Sequence, residues 1–363
     1  MLDRALFASF IRTLAVEREL YGSVVDAGAI RFRRIETIDD FARGYSDAQR
    51  PGSYRLTHDA ESDRLFDHSV GPDSLKGFLH PPEIVLFEAF RDDAGIRFVA
   101  TSPDARPKAV IGARACDLAA ADILGEVFER AGDQAFGARR SELFVVAVDC
   151  ARPAPTCFCT TVGGGPRAET GFDVALTEID TSDGPAYVAR TGTNRGTELL
   201  TRLDAPEATD AHVTTAGRIV ERSTRAMMIR FDRDAVRRAL LETVAAPARE
   251  RVGDRCLACG NCTQVCPTCF CTTTTDHTSL DGSLWERHRV WDSCFSLDFS
   301  SLHRTPVRTS IAARYRQWIN HKLSTWYDQF GSSGCVGCGR CITWCPVGID
   351  LVAEALEAEE ALT

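Results

Sequence analysis

Eight cysteines of this chain fall into two copies of one spacing. Cys256, Cys259, Cys262 and Cys266 are followed by Pro267, and Cys335, Cys338, Cys341 and Cys345 by Pro346. Each copy reads C-x2-C-x2-C-x3-C-P. Three thiolates two residues apart wrap one iron–sulfur cube from a single tight loop. The fourth, three residues on at a helix start, points away and reaches the other cube. The pattern assigns Cys256, Cys259, Cys262 and Cys345 to one [4Fe-4S] cluster, and Cys335, Cys338, Cys341 and Cys266 to a second. Gly260, Gly337 and Gly339 suit a loop whose backbone comes close to sulfur and takes unusual dihedrals. Zinc is the competing cation, but its sites usually pair two separated C-x2-C knuckles. A triple-cysteine loop with a fourth cysteine and a proline, occurring twice, fits iron–sulfur better.

The chain has 15 cysteines, so seven remain. Cys116, Cys150, Cys157 and Cys159 form the candidate for a third centre, and soft thiolates favour iron–sulfur or zinc over hard cations. The alternative is that they are buried small hydrophobes with no metal. Cys157 and Cys159 lie in Thr156-Cys-Phe-Cys-Thr-Thr161, and the same six letters recur at Thr268–Thr273. Two cysteines at i and i+2 face one side of an extended chain. Cys269, Cys271 and Cys294 stand near a cluster ligand. They either line its pocket and tune it through hydrogen bonds to sulfur, or bind a further metal.

The elements that must carry these residues divide the chain in two. Residues 1–245 read as an α/β domain with a mixed or parallel sheet. Leu2, Leu6, Phe10 and Leu14 give an N-terminal helical face, and short strands and turns follow to residue 100, with a polar turn at Asp47–Gly52. Ala109–Ala113 and Leu143–Val148 are apolar strands flanking a helix over Leu118–Arg130. This β-α-β order implies a parallel pair. Cys116 and Cys150 then both sit past strand carboxyl ends, the edge where open α/β sheets carry their sites. Residues 246–363 read as an α-helical domain with the spacing of bacterial ferredoxins, holding two [4Fe-4S] clusters and a long insertion over 267–334. A helix over about 310–330 in that insertion presents Ile311, Tyr315, Trp318, Lys322 and Trp326 as a stripe for packing over the clusters. The boundary is expected around Ala246–Arg251.

Net charge is −9, from 42 basic and 51 acidic residues, which argues against a nucleic-acid partner. No run of about 18 apolar residues exists to span a membrane. The start, Met-Leu-Asp-Arg-Ala-Leu-Phe, has neither a basic head nor an apolar core. An odd cysteine count at metal spacings does not describe a secreted disulfide framework. A cytoplasmic location is the expectation.

Beyond the two loops, several segments resemble the iron–sulfur subunits of the four-iron dicluster family. They are Lys76 to Glu83, Arg114-Ala-Cys116-Asp117-Leu118, Asp149-Cys150, Cys157-Phe-Cys159 with Gly165-Pro166, Cys266-Pro-Thr-Cys269-Phe-Cys271, and Trp291-Asp-Ser-Cys294-Phe. That family includes the β subunit of cytoplasmic NAD(P)-linked [NiFe] hydrogenases (sulfhydrogenases). An iron–sulfur component of anaerobic sulfite reductase is another member. The resemblance implies a non-catalytic subunit that passes electrons between two partners. One is a reductase subunit that binds FAD and NAD(P), and the other is a catalytic [NiFe] hydrogenase or sulfite reductase subunit. The chain has no G-x-G-x-x-G after a strand, so nucleotide and flavin sites are expected on a partner. A rival expectation makes the Cys116–Cys159 centre itself the site that reduces a disulfide or polysulfide.

Overall fold

A computed structural model describes residues 1–101, 106–242 and 247–360. Helix α1 (Arg4–Ala15) starts at Asp3, whose carboxylate accepts from the Leu6 N–H at 2.8 Å and so satisfies a free amide of the first turn. Its buried face is Phe7, Phe10, Ile11 and Leu14. Leu2 instead leaves the helix and bridges Tyr187. Strands β1 (Glu19–Asp26), β2 (Ala29–Ile35), β3 (Tyr45–Arg50) and β4 (Ser53–His58) follow. The segment expected as a polar turn is mostly strand: β3 runs to Arg50, and only Pro51-Gly52 turns. Asp47 and Gln49 point inward and are buried, because each finds a partner. Asp47 accepts from the Ser69 N–H at 2.6 Å and from Gln49 Nε2 at 2.7 Å.

Next come α2 (Lys76–Leu79), β5 (Glu83–Asp92), β6 (Gly95–Ala100), β7 (Lys108–Ala113), α3 (Ala115–Phe128), α4 (Gln134–Glu142), β8 (Phe144–Val148), β9 (Val174–Thr181) and β10 (Gly184–Thr191). The double proline after His80 ends α2. The main sheet has the order β10-β9-β8-β7-β1-β2. Its inner strands β1, β7, β8 and β9 are parallel, and the outer β2 and β10 are antiparallel hairpin partners. It is a mixed sheet. Alternate residues serve opposite faces: Ile111, Val146, Val148, Val174 and Leu176 pack with α1. Val110, Val145, Ala147 and Ala175 pack with residues of α3 and α4. The β7–β8 crossover leaves Cys116 in the first turn of α3 and Cys150 just past β8, on one sheet edge.

Helices α5 (Asn194–Arg202), α6 (Asp210–Ala226), α7 (Arg233–Glu242), α8 (Pro247–Arg255) and α9 (Asn261–Gln264) lead into the cysteine loops. The boundary residue Ala246 lies outside the described residues. Helix α7, on the N-terminal side of it, packs in the C-terminal core: Val236, Ala239 and Leu240 contact a group with Val252, Trp318, Ile342 and Leu351.

The stretch between the loops carries β11 (Thr272–Thr278), β12 (Leu284–Trp291), β13 (Ser301–Leu302), β14 (Thr305–Pro306), α10 (Ile311–Asn320) and α11 (Trp326–Phe330). It is therefore not all helical. Strands β11 and β12 extend an antiparallel sheet of order β11-β12-β5-β6, joined to the N-terminal half. A π-helical turn over His321–Thr325 links α10 and α11. Helices α12 (Arg340–Thr343) and α13 (Leu351–Glu360) close the chain.

Candidate metal centres

Both cysteine loops adopt one local conformation. Ala258 and Gly260 in the first have φ of 49° and 72°, and the matching Gly337 and Gly339 in the second have φ of 64° and 72°. Each loop turns left-handed before its second cysteine and again after it, then enters a one-turn helix, α9 or α12. The turn aims backbone amides at sulfur: Ala258 N–H donates to Cys256 Sγ and Gly337 N–H to Cys335 Sγ, both at 3.4 Å. Donors of this kind stabilise a thiolate.

Cys256, Cys259, Cys262 and Cys345 line one cavity of about 480 Å³, walled by Phe295, Tyr315 and Trp318. Tyr315 and Trp318 come from the stripe on α10. The Ile349 N–H donates to Cys345 Sγ at 3.3 Å. Burial pushes the Cys262 thiol well up, with Cys256 and Cys266 adding to it. In the second set, burial pushes Cys335 up to about 12, and the neighbouring Cys338 and Cys266 push the same way. Cys341 is raised by burial and then by Cys335, Cys266 and Cys338. Cys345 thus stands with the first loop and Cys266 with the second.

Cys116, Cys150, Cys157 and Cys159 come together as well. All four line a cavity of about 330 Å³ with Met227, Gly337 and Cys338. Burial raises all four thiols, Cys159 to about 12. Ser69 Oγ lies 3.8 Å from Cys157 Sγ, and Cys159 Sγ lies 3.5 Å from Met227 Sδ. Thiols this buried resist ionisation unless a cation replaces their protons, so the three donor sets fit metal-bound thiolates. Among the described residues no trio of cysteine sulfurs lies within 4.8 Å of one another. One tetrahedral zinc with Zn–S bonds of about 2.3 Å would draw its sulfurs closer than that.

Several residues that spacing did not single out hold these sets in place. Arg340, between Cys338 and Cys341, is buried and pairs with buried Asp117 of α3 at 2.7 Å. Its Nε donates to the Gly71 carbonyl, another N–H to the Asp73 carbonyl, and Nη1 stands 4.0 Å from Cys116 Sγ. Asp117 also accepts from the Arg114 N–H, and Arg114 donates to the carbonyls of Phe66, His68 and Asp149. Gln49 Oε1 accepts from Thr343 Oγ1 at 2.7 Å, and Thr343 shares a hydrogen bond with Thr156. The signal for Arg340 was a long cation locked inside a cysteine loop; that for Asp117 was its place beside Cys116.

Cys269, Cys271 and Cys294 surround Cys266 more loosely. Cys269 hydrogen-bonds to Cys266, and Cys294 to Cys271. Two buried lysines serve this region. Lys76 Nζ donates to the carbonyls of Thr263 and Gln264 and lies over the Trp291 ring. Lys322 donates to Thr268 Oγ1 at 2.7 Å, and that hydroxyl is 3.2 Å from Cys266 Sγ. With 3 lysines in the chain, two buried at the sulfur sets was a legible sign. No described helix is long and apolar enough to cross a membrane.

Comparison with known proteins agrees. Residues 255–349 match the 4Fe-4S dicluster domain. Over 369 aligned residues, 99% of this chain and 98% of the relative, the protein is 26% identical to the sulfhydrogenase 2 subunit beta of Pyrococcus furiosus. No solved structure matches. By that domain and that relative, the chain belongs among the iron–sulfur subunits built on a 4Fe-4S dicluster domain.

Proposed function

We propose that this iron–sulfur electron-transfer protein relays single electrons through three sulfur sets in series. Cys116, Cys150, Cys157 and Cys159 form one end. Cys335, Cys338, Cys341 and Cys266 form the middle, and Cys256, Cys259, Cys262 and Cys345 the other end. The observation that carries this order is the position of Cys338. It belongs to the second loop and also lines the cavity of the N-terminal four. Cys262, in turn, feels Cys266 from the first loop. When bound, a [4Fe-4S] cluster accepts and yields one electron at a time. The protein residues supply thiolates, amide donors and a dry surround, and Arg340 with Asp117 holds the middle set against α3.

Of the partners, a [NiFe] catalytic subunit with a flavin- and NAD(P)-binding reductase subunit suits the relay, because the whole-length relative is a sulfhydrogenase β subunit. Isolation of the native complex, followed by identification of its other chains, tests that assignment; a sulfite reductase subunit in place of the hydrogenase would redirect it. A second reading has one observation in its favour. A groove of about 820 Å³ reaches Cys116, Cys159 and Cys335 beside Gly163–Gly165, wide enough for a small disulfide or polysulfide substrate.

The test of the three-set relay is iron and acid-labile sulfide in the anaerobically purified chain. About 12 irons per chain are expected, and about 8 would remove the N-terminal centre. Cys157→Ser is expected to lower the count to about 8 while the other two reducible signals persist.

A further inference from the structure

Away from the sulfur sets, the four-stranded sheet gathers ligands of another kind. Glu83 opens β5, His277 lies on β11 and His288 on β12, and one donor atom from each falls within 4.8 Å of the others. Strand register explains the grouping. His288 faces Thr275 on one side and Val85 on the other. His277 is two residues beyond Thr275, and Glu83 is two residues before Val85. Residues two apart share a sheet face, so the three form a diagonal row across three strands.

The details go beyond a surface ion pair. His288 Nδ1 is 2.5 Å from Glu83 Oε1. The imidazole rings of His277 and His288 lie 4.5 Å apart. His288 Nε2 is buried and makes no hydrogen bond, and a carboxylate oxygen of Glu286 stands 3.7 Å away. A Glu–His pair needs only one imidazole, and a buried ring nitrogen without a partner costs free energy. A cation taking lone pairs from both rings removes that cost.

We propose that Glu83, His277 and His288 bind a divalent transition cation of the zinc class, with Glu286 as a carboxylate beside it. Two imidazoles and a carboxylate suit zinc and its first-row neighbours; calcium and magnesium take oxygen ligands. The bound ion pins β11 and β12, from the stretch between the cysteine loops, to β5 of the N-terminal half. None of its ligands is a cysteine, so it can be read separately from the clusters.

The test uses the full chain, purified anaerobically with its clusters loaded. Wild type, His277→Ala and His288→Ala are equilibrated with Zn²⁺, desalted and assayed for zinc and iron. Wild type is expected to retain an equivalent of zinc that both variants lack, at equal iron. Amide exchange in β11 and β12 is expected to slow with Zn²⁺ in wild type alone. Equal zinc in all three proteins, or exchange that ignores Zn²⁺, overturns the proposal.

Discussion

Before its second cysteine the first loop carries Ala258 and the second carries Gly337, both in the left-handed region. The first loop stays open to solvent there: Cys259 is exposed, and Leu257 is 63% exposed. The second loop is pressed against the first TCFCTT copy. A Cβ at Gly337 would come within 2.6 Å of the Cys159 nitrogen, and one at Gly339 within 2.4 Å of the Thr156 carbonyl oxygen. The Phe158 N–H donates to the Gly337 carbonyl at 2.8 Å, sealing the contact. The matching positions after the second cysteine differ as sharply. Arg340 is buried in an ion pair, whereas Asn261 makes a local bond to the Trp344 carbonyl at 2.5 Å. One backbone thus serves two purposes. The loop conformation sets ligand spacing, and what packs on it decides whether a centre faces a partner or the protein's own N-terminal half.

The sharpest way to break this contrast is Arg340→Met. It leaves Asp117 charged and buried, and the loss of one member of such a pair costs about 3–5 kcal/mol. Asn261→Ala in the first loop is expected to cost only about 1 kcal/mol. The measurement is thermal unfolding of the iron-loaded proteins. Similar shifts for both would mean that the second loop is not held by α3.

Exchanging the residues before the second cysteine comes next. Gly337→Ala forces backbone against backbone, and such overpacking costs about 1–3 kcal/mol. Ala258→Gly meets nothing comparable and is expected to shift stability by less than about 1 kcal/mol. Iron retention during mild heating reads both. Equal retention would remove the sealed-loop argument.

A smaller effect is expected from acid. His80 is buried against Phe128 and Trp291 beside the corner from which Lys76 backs the first loop. Burial, then the Arg289 and Lys76 cations, hold its pKa down at about 3. The unfolded imidazole takes its proton near 6.5. The stability it confers is therefore complete above 6.5 and lost as pH falls towards 3. At pH 5.5 about 1.4 kcal/mol is expected to be gone. Denaturation midpoints between pH 7.5 and 5.5 measure the slope, and His80→Phe is expected to flatten its share.

Some of this was legible along the chain because its cause is local. Cysteine spacing sets which sulfurs one loop can offer, and glycine marks the left-handed positions. The apolar run Leu143–Val148 reads as a buried strand with no knowledge of its neighbours. The meeting of Cys116 with Cys150 followed from the β-α-β order, since a parallel crossover returns both strand ends to one edge. Partners far apart in sequence were not legible. Asp47 and Gln49 look like turn residues until Ser69 and Thr343 supply their hydrogen bonds. Strands β11 and β12 are polar and thin, and only β5 gives them a sheet to join. Arg340 looks like a surface cation until Asp117 of α3 receives it. The α-helical character expected for residues 267–334 failed for the same reason. Chain chemistry determined the ligands, and long-range packing decided which loop is covered, because burial and pairing depend on residues that no local window contains.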